Sequence, residues 1–398
     1  MKRPFERDTR TRFAIMLSRM HSCIARGYYG IANGTLEVIR RLLWKGRRPQ
    51  EAKRVVIYRV GNVGDIVCAV PAMVAIRRAY PTARLTLVTS PGKRGMPGAL
   101  ELLTGAEWLD DLWVYYADEI DTAQKRQQFV ERLRREGCDV WFELPMDLAS
   151  FRVSARNMIM AWLAGARWAY GWRINTIPWA ARVQSEFWAF PNEVERLLLV
   201  ISDAGIPAGP ASFPLPVQDR HRQTVDHLLN QRGWLRAPLV AMAPAAKRSP
   251  NRWPADRFAE VGRFICRRGF SIAILGGERD ALLCQQIAED IGEGSLSVAG
   301  NLSLLECCEL LRRCHVLVCN DSGVQHLAAA VGTSCISVFS CRDIRDKWSP
   351  YGAQHTVLRK WVACQACQLE QCPYDNRCIN LIETKEVRAA LDRYLASP

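Results

Sequence analysis

The chain reads as an α/β protein of two parallel-sheet lobes preceded by a basic helical arm. Three observations predict this. Short apolar runs alternate with helical-period segments from residue 53, and the alternation restarts at residue 239. A Pro- and Gly-rich stretch, GIPAGPASFPLPVQ at 205–218, separates the two series. Finally, 398 residues with 49% hydrophobic and 24% charged side chains are enough for two domains with real cores, and exclude a disordered or fibrous chain.

The arm, residues 1–52, comes first. Residues 1–54 hold 14 Lys/Arg against 4 Asp/Glu, so most of the chain's net charge of +14 lies there. Phe13, Met16, Leu17, Met20 and Ile24, then Leu36, Ile39, Leu42 and Leu43, fall at helical spacing. The simplest reading is two amphipathic helices broken near Gly27–Gly34. Such helices cover an apolar groove or lie on a membrane surface. The charge suits anionic lipid, nucleic acid or an acidic partner, and a solvated extension packed on its own protein suits it equally. No run approaches the ~18–20 uncharged apolar residues of a membrane span. The opening MKRPFERDTRTRFAIML lacks the long apolar segment of a secretory leader. A cytoplasmic protein, soluble or peripheral on the inner face of a membrane, is expected.

In the first lobe, 53–205, strands are predicted at VVIY (55–58), LTLVT (85–89), LWVYY (112–116) and DVWFEL (139–144). Helices are predicted at Asp65–Tyr80, Gly98–Leu103, Ala123–Glu136 and Ser154–Ala164. Residues 206–218 read as a linker. In the second lobe, 219–382, strands are predicted at LVAMA (239–243), SIAILGG (271–277), Leu296–Val298, HVLVCN (315–320) and CISVF (335–339). Helices are expected at 255–268, 279–291, 303–313 and from Val324. A last helix occupies 383–398. Two such lobes place a cleft between the carboxyl edges of their sheets, where open α/β sheets bind ligands.

Four strand-end segments carry candidate chemistry. In YRVGNVGDIVCAVP (58–71), Gly61 and Gly64 allow a tight turn and close ligand approach, and Asp65 opens a helix. The helix start favours the ionised carboxylate, so Asp65 reads either as a base at neutral pH or as a helix cap alone. In HVLVCNDSGVQHLAAAVG, the turn Asp321-Ser322-Gly323 leads into a helix at Val324, with His326 in its first turn. That is an anion site of backbone N–H groups, a hydroxyl and an imidazole. In VAMAPAAKRSPNRWPADRF, Lys247, Arg248 and Arg252 offer cations to a pyrophosphate, or are merely solvated. In ILGGERD, Asp280 can accept from ribose hydroxyls or cap a helix.

Of 15 cysteines, most sit in apolar runs and read as buried small hydrophobes. Cys364, Cys367, Cys372 and Cys378 differ: C-x2-C-x4-C-x5-C has the thiols for a tetrahedral structural Zn or Fe site. Free or regulatory thiols are the alternative.

These segments, in this order, resemble glycosyltransferase family 9, the bacterial heptosyltransferases, over roughly residues 53–395. The matching stretches are RVGNVGDIVCAVPAMVAIRRAYP, PAAKRSPNRWPADRFAE, CNDSGVQHLAAAVGTSCISVF and SPYG (349–352). The resemblance implies a GT-B fold: two Rossmann-like domains facing a central cleft, acceptor on the first and nucleotide-sugar on the second. It implies inverting, metal-independent transfer of a heptose from ADP-heptose to the inner core of lipopolysaccharide. The chain contains no Asp-x-Asp that would hold a catalytic metal. Carried over by position, Asp65 is the general base. Asp321, Ser322, Gly323, Val324 and His326 contact donor phosphate and sugar, and Asp280 contacts the ribose. Lys93, Arg94 and Arg152 are the basic candidates for an anionic glycolipid acceptor. The family's Lys-Arg-Trp-Pro is Asn251-Arg252-Trp253-Pro254 here, so Lys247 or Arg252 would have to reach the donor phosphates. The arm and the 13 tryptophans, several within 162–188, point to an unusual acceptor or a contact with the inner membrane through residues 1–50. A protein acceptor, or a catalytically impaired member acting as a binding protein, are the alternatives. Nucleic acid is not expected, because the aromatic-plus-basic motifs of common RNA modules are missing.

Overall fold

The computed structural model describes residues 9–174 and 190–395, with side chains from Met20 onward except residues 21 and 22. Two of the tryptophans, Trp179 and Trp188, and the side chains of Phe13, Met16 and Leu17 lie outside the described residues.

The arm is one helix, α1 (Thr9–Leu43), rather than two. Gly27, Gly30 and Gly34 run through it unbroken, each with open space where a Cβ would stand. A glycine costs a helix about 1 kcal/mol, and tertiary packing outweighs that. Ala25, Ala32 and Leu36 are buried on the inner face, and Trp44 just beyond stacks on Trp172 with ring centroids 5.3 Å apart.

The first lobe is a five-stranded parallel sheet in the order β3-β2-β1-β4-β5. Its strands are β1 (Arg54–Val60), β2 (Arg84–Ser90), β3 (Asp111–Val114), β4 (Val140–Glu143) and β5 (Trp168–Tyr170). β1 is central and buried on both faces, which its unbroken apolar run anticipates. Helices α2 (Val63–Ala79) and α3 (Ala99–Leu103) cover one side, and α4 (Ala123–Glu136), α5 (Phe151–Leu163) and α1 the other. Neither β5 nor α6 (Glu193–Asp203) is anticipated by the pattern: the strand has three residues, and the helix begins in a polar stretch. The segment 206–218 is extended and strapped to the first lobe, with Trp108 Nε1 donating to Pro214 O at 3.0 Å.

The second lobe is a six-stranded parallel sheet in the order β11-β10-β9-β6-β7-β8. Its first members are β6 (Leu239–Ala243), β7 (Ser271–Ile274), β8 (Ser295–Ser297) and β9 (Cys314–Asn320). β10 (Ser334–Phe339) and the half-buried β11 (Thr356–Arg359), which the sequence pattern does not show, complete it. Its helices are α7 (Asp219–Gln231), α8 (Ala255–Arg267), α9 (Ala281–Ile291), α10 (Leu304–Arg312), α11 (Gly323–Ala330), α12 (Arg377–Asn380) and α13 (Thr384–Leu391). In each sheet the central strands discharge their carboxyl-end loops side by side. One apolar cluster runs from Ile66, Met73 and Leu197 of the first lobe to Leu317, Leu327 and Ala328 of the second.

Candidate active site

The loop after β1 is built around Asp65. A Cβ on Gly61 would lie 2.2 Å from the Asp65 Cβ, so only glycine leaves room for this carboxylate. Asp65 Oδ2 accepts from the backbone N–H of Asn62 at 3.0 Å. Oδ1 lies 3.6 Å from Arg59 Nη2, and the side chain remains 27% exposed, enough to meet a ligand. Burial raises the carboxyl above its usual range, with Arg59 and the Asn62 N–H opposing. The Asn62 N–H at the helix start favours the ionised form, as expected, but burial outweighs it, so the group holds a proton more readily than an ordinary aspartate.

Beneath Asp65 is a network that sequence reasoning missed. Arg59 is fully buried and donates to Pro145 O at 2.6 Å and Glu193 Oε1 at 3.1 Å. Arg196 Nε and Nη2 grip Glu193 at 2.7 and 2.6 Å. Burial alone would raise Glu193, but Arg196 and then Arg59 pull it down to about 2. Arg59 and Glu193 are 134 residues apart, and no local pattern links them.

From the second lobe, the tip of α11 packs against the start of α2. A Cβ on Gly64 would stand 3.0 Å from His326 Cδ2 and 3.4 Å from Gly323 Cα. His326 Nδ1 lies 3.4 Å from Cys68 Sγ. Burial lowers the imidazole to about 4, so at neutral pH it offers a neutral ring. Ser322 takes the N-cap position with extended backbone, yet its buried hydroxyl caps nothing and has no partner. The first N–H groups of a helix have no intrahelical acceptor. Val324, in the first turn, is half-buried against the core shared with α2.

Asp321 is tied into the protein. Its Oδ1 accepts from Gln325 Nε2 at 3.0 Å and its Oδ2 from Asn251 Nδ2 at 3.2 Å. Asn251 Oδ1 in turn accepts from Ser340 Oγ at 2.6 Å. The residue replacing the family lysine is therefore a buried amide bridge. Burial, then the nearby Asp343, push Asp321 up to about 7 against Arg359 and Arg342. Lys247 and Arg252 are exposed on the same loop, Arg252 Nε donating to Ala246 O at 2.8 Å. Asp280 Oδ2 accepts from Gly277 N at 3.2 Å, so it caps its own turn. Lys247, Arg252, Asp280 and the 321–326 turn all sit at the carboxyl ends of the adjacent strands β6, β7 and β9.

On the first lobe, Lys93 and Arg152 are exposed. Arg94 is already engaged: it pairs with Asp118 at 3.2 Å and Glu119 at 2.5 Å, and its guanidinium lies 4.4 Å from the Tyr116 ring centre. As an acceptor contact it would first have to leave two carboxylates, which makes it the weakest of the three.

The thiols of Cys364, Cys367, Cys372 and Cys378 are close enough for the other three, after burial, to raise Cys364, but they are not drawn into one coordinating group. Among the described residues, no group of three or more His, Cys, Asp or Glu side chains could hold a metal ion. Cys378 is turned into a small core with Cys341 and Val362, its Sγ accepting from Cys341 N at 3.3 Å, while Cys364 faces solvent.

The comparisons agree with this architecture. A family model described as glycosyltransferase family 9 (heptosyltransferase) matches residues 126–377. Lipooligosaccharide heptosyltransferase 2 of Haemophilus ducreyi is 32% identical over 99 residues, 24% of this chain and 28% of that one. Lipopolysaccharide heptosyltransferase 2 of Escherichia coli is 23% identical over 232 residues, 54% of this chain and 63% of that one. The chain thus aligns with less than two thirds of either relative. Among solved structures, a family 9 glycosyl transferase from Veillonella parvula superposes with TM-score 0.73 at 18% identity, covering 88% of this chain and 99% of that one. Escherichia coli ADP-heptose lps heptosyltransferase II follows at TM-score 0.61 and 20% identity, covering 86% and 98%. An iron-containing dodecameric glycosyltransferase, TibC, matches at TM-score 0.52 and 12% identity, over 87% of this chain and 77% of that one. With its two facing parallel-sheet lobes and a family match over most of its length, the chain belongs to glycosyltransferase family 9.

Proposed function

We propose that the protein transfers a heptose from ADP-heptose to an anionic acceptor, the inner core of lipopolysaccharide, with inversion and without a metal. One observation carries this reading: the loop that carries Asp65 and the electropositive tip of α11 pack against each other, with Gly64 against His326 and Gly323. The acceptor hydroxyl gives its proton to Asp65 as its oxygen attacks the anomeric carbon. The bond from that carbon to the diphosphate breaks on the opposite face, and the ADP leaves with the electron pair. Arg59 and the Asn62 N–H hold Asp65 in place for this step. Charge developing on the diphosphate meets the first N–H groups of α11, the Ser322 hydroxyl and the neutral His326 ring. Lys247 and Arg252 stand at the edge as cations. Asp280 is assigned to the ribose, exchanging its cap bond for a ligand bond.

Lys93 and Arg152 serve the acceptor's anionic groups. The protein works on the cytoplasmic face of the membrane that carries its acceptor. Support for that location comes from α1, whose outer face exposes Met20, Ile24, Ile31, Val38 and Leu42. Among the described residues no helix is long and apolar enough to cross a membrane. The test is transfer of labelled heptose from ADP-heptose to lipid-free inner-core oligosaccharide. Turnover with ADP-heptose and little with the UDP or GDP sugars is expected. Absence of transfer to the oligosaccharide, with transfer to a protein acceptor instead, would contradict the acceptor.

A further inference from the structure

The first lobe holds a cavity that the proposed chemistry leaves without a role. It has a volume of about 200 Å³ and lies at the carboxyl ends of β1, β2 and β4, lined among others by Tyr58, Ser90, Tyr115, Glu143, Arg156 and Asn157. Glu143 ends β4, in register with Tyr58 of β1. It is only 4% exposed. Its Oε1 accepts from Asn157 Nδ2 at 2.7 Å, but Oε2 has no hydrogen-bond partner. Asn157 cannot turn to serve both, because its Oδ1 accepts from Arg156 Nε and Nη2 at 3.1 and 2.9 Å. The Tyr58 and Tyr115 hydroxyls are committed to each other. The Trp141 indole, on the same face of β4, is a donor near enough to act on this carboxylate but not in hydrogen-bond geometry with it.

A buried acceptor left unmet costs about 1–3 kcal/mol, so it is a feature a lobe core would ordinarily remove. Here it sits in a cavity with aromatic walls and a cation at its edge. Burial pushes the Glu143 carboxyl up to about 7, with Asn157 and Trp141 opposing. A carboxyl in that range accepts from a hydroxyl when ionised and donates to one when protonated, so a hydroxyl suits it in either form. A saccharide ring brings hydroxyls on its rim and C–H faces for the apolar lining, which includes Val60, Ile120 and Met146. Arg156 is exposed and suits an anionic substituent on the same ring.

We propose that this cavity is the subsite for one pyranose ring of an acidic acceptor saccharide, with Glu143 the positioning residue for a ring hydroxyl and Arg156 the cation for the ring's anionic group. The inference rests on the acceptor reading above and names where that acceptor is gripped. Gly92, beside Lys93, also lines the cavity, so the subsite continues into the loop assigned to the acceptor.

The test uses the full chain, ADP-heptose and lipid-free inner-core oligosaccharide. Glu143→Gln raises the acceptor KM about 10-fold, and Arg156→Ala about 5-fold, with the donor KM within about two-fold of wild type. Ala117→Trp, exposed at the cavity's edge and outside the core, blocks the ring and gives a loss at least as large. Acceptor KM values within two-fold of wild type in all three variants would overturn the proposal, and so would a matching rise in donor KM. If the wild-type chain transfers nothing to this oligosaccharide, the transfer reading fails on its own. Calorimetric binding of the oligosaccharide, lost in Ala117→Trp, then still supports the subsite, and binding that survives in Ala117→Trp, or none in wild type, overturns it.

Discussion

At the scale of single residues, the site depends on backbone room and on buried charge. Gly61→Ala would place a methyl 2.2 Å from the Asp65 Cβ, so the carboxylate must move. Turnover should fall about 100-fold while ADP affinity, measured by calorimetry, stays within a few-fold. Glu193→Gln removes the common partner of Arg59 and Arg196 and should cost about 3–5 kcal/mol in denaturant unfolding. Its pH dependence has a definite sign. Glu193 is held down near 2, against an ordinary value of 4.5. Its contribution is therefore complete above about pH 4.5 and is lost as the pH falls toward 2. The stability gap between wild type and Glu193→Gln should close in that window. Glu143 has the opposite sign, raised to about 7 from 4.5. Its ionisation costs the folded state stability as the pH rises from about 4.5 through 7, so Glu143→Gln should gain stability over wild type at pH 8 and not at pH 4.

At the scale of elements, α1 has two apolar faces. Ala25, Ala32 and Leu36 point into the lobe, while Met20, Ile24, Ile31, Val38 and Leu42 are exposed on the outside. At about 100° per residue those five fall within a sector of about 40°. Arg41, 73% exposed in its side chain, lies beside the stripe, and Lys45 is exposed just past the helix end. That arrangement matches a helix lying on an anionic surface. The full chain should sediment with vesicles containing phosphatidylglycerol and not with phosphatidylcholine alone. Ile31→Glu with Leu42→Glu should reduce the bound fraction at least 10-fold. Concentration-dependent dimerisation lost in the same variant, without vesicle binding, would instead assign the stripe to a second copy. The elements that sequence patterns reveal are those buried on both sides or strongly periodic, such as β1, β6, β9 and α4. β5, β11 and α7 escape because they are short, half-buried or polar, and α6 because it opens on the charged stretch Glu193–Arg196. The unbroken α1 escapes because three glycines look like a break until the packed inner face is seen.

At the scale of the whole molecule, the lobes are joined by more than the strap at 206–218. Buried Lys347, after β10, pairs with Asp147, after β4. Glu193 N donates to Lys347 O at 2.9 Å, and Asn192 Nδ2 to Ser349 O at 2.8 Å. Lys347→Met should loosen this closure and lower kcat about 10-fold, with a larger radius of gyration in solution scattering and unchanged circular dichroism. The candidate site was legible where local motifs carry it: Asp65 with its glycines, and the Asp321–His326 turn. It was not legible where chain-distant groups meet, as in Arg59 with Glu193, Glu143 with Asn157, and Asn251 with Asp321. The cysteine spacing shows that four thiols are neighbours but not how each is turned: Cys378 packs inward while Cys364 faces solvent. The proposed transfer stands on Asp65 acting as the base, with the α11 tip on the other lobe. The most direct measurement is the transfer rate of Asp65→Asn alongside its calorimetric affinity for ADP. The expected result is a rate lower by at least about 1,000-fold with ADP affinity within about three-fold of wild type. Residual transfer near the wild-type rate, or a parallel loss of ADP binding, would contradict it.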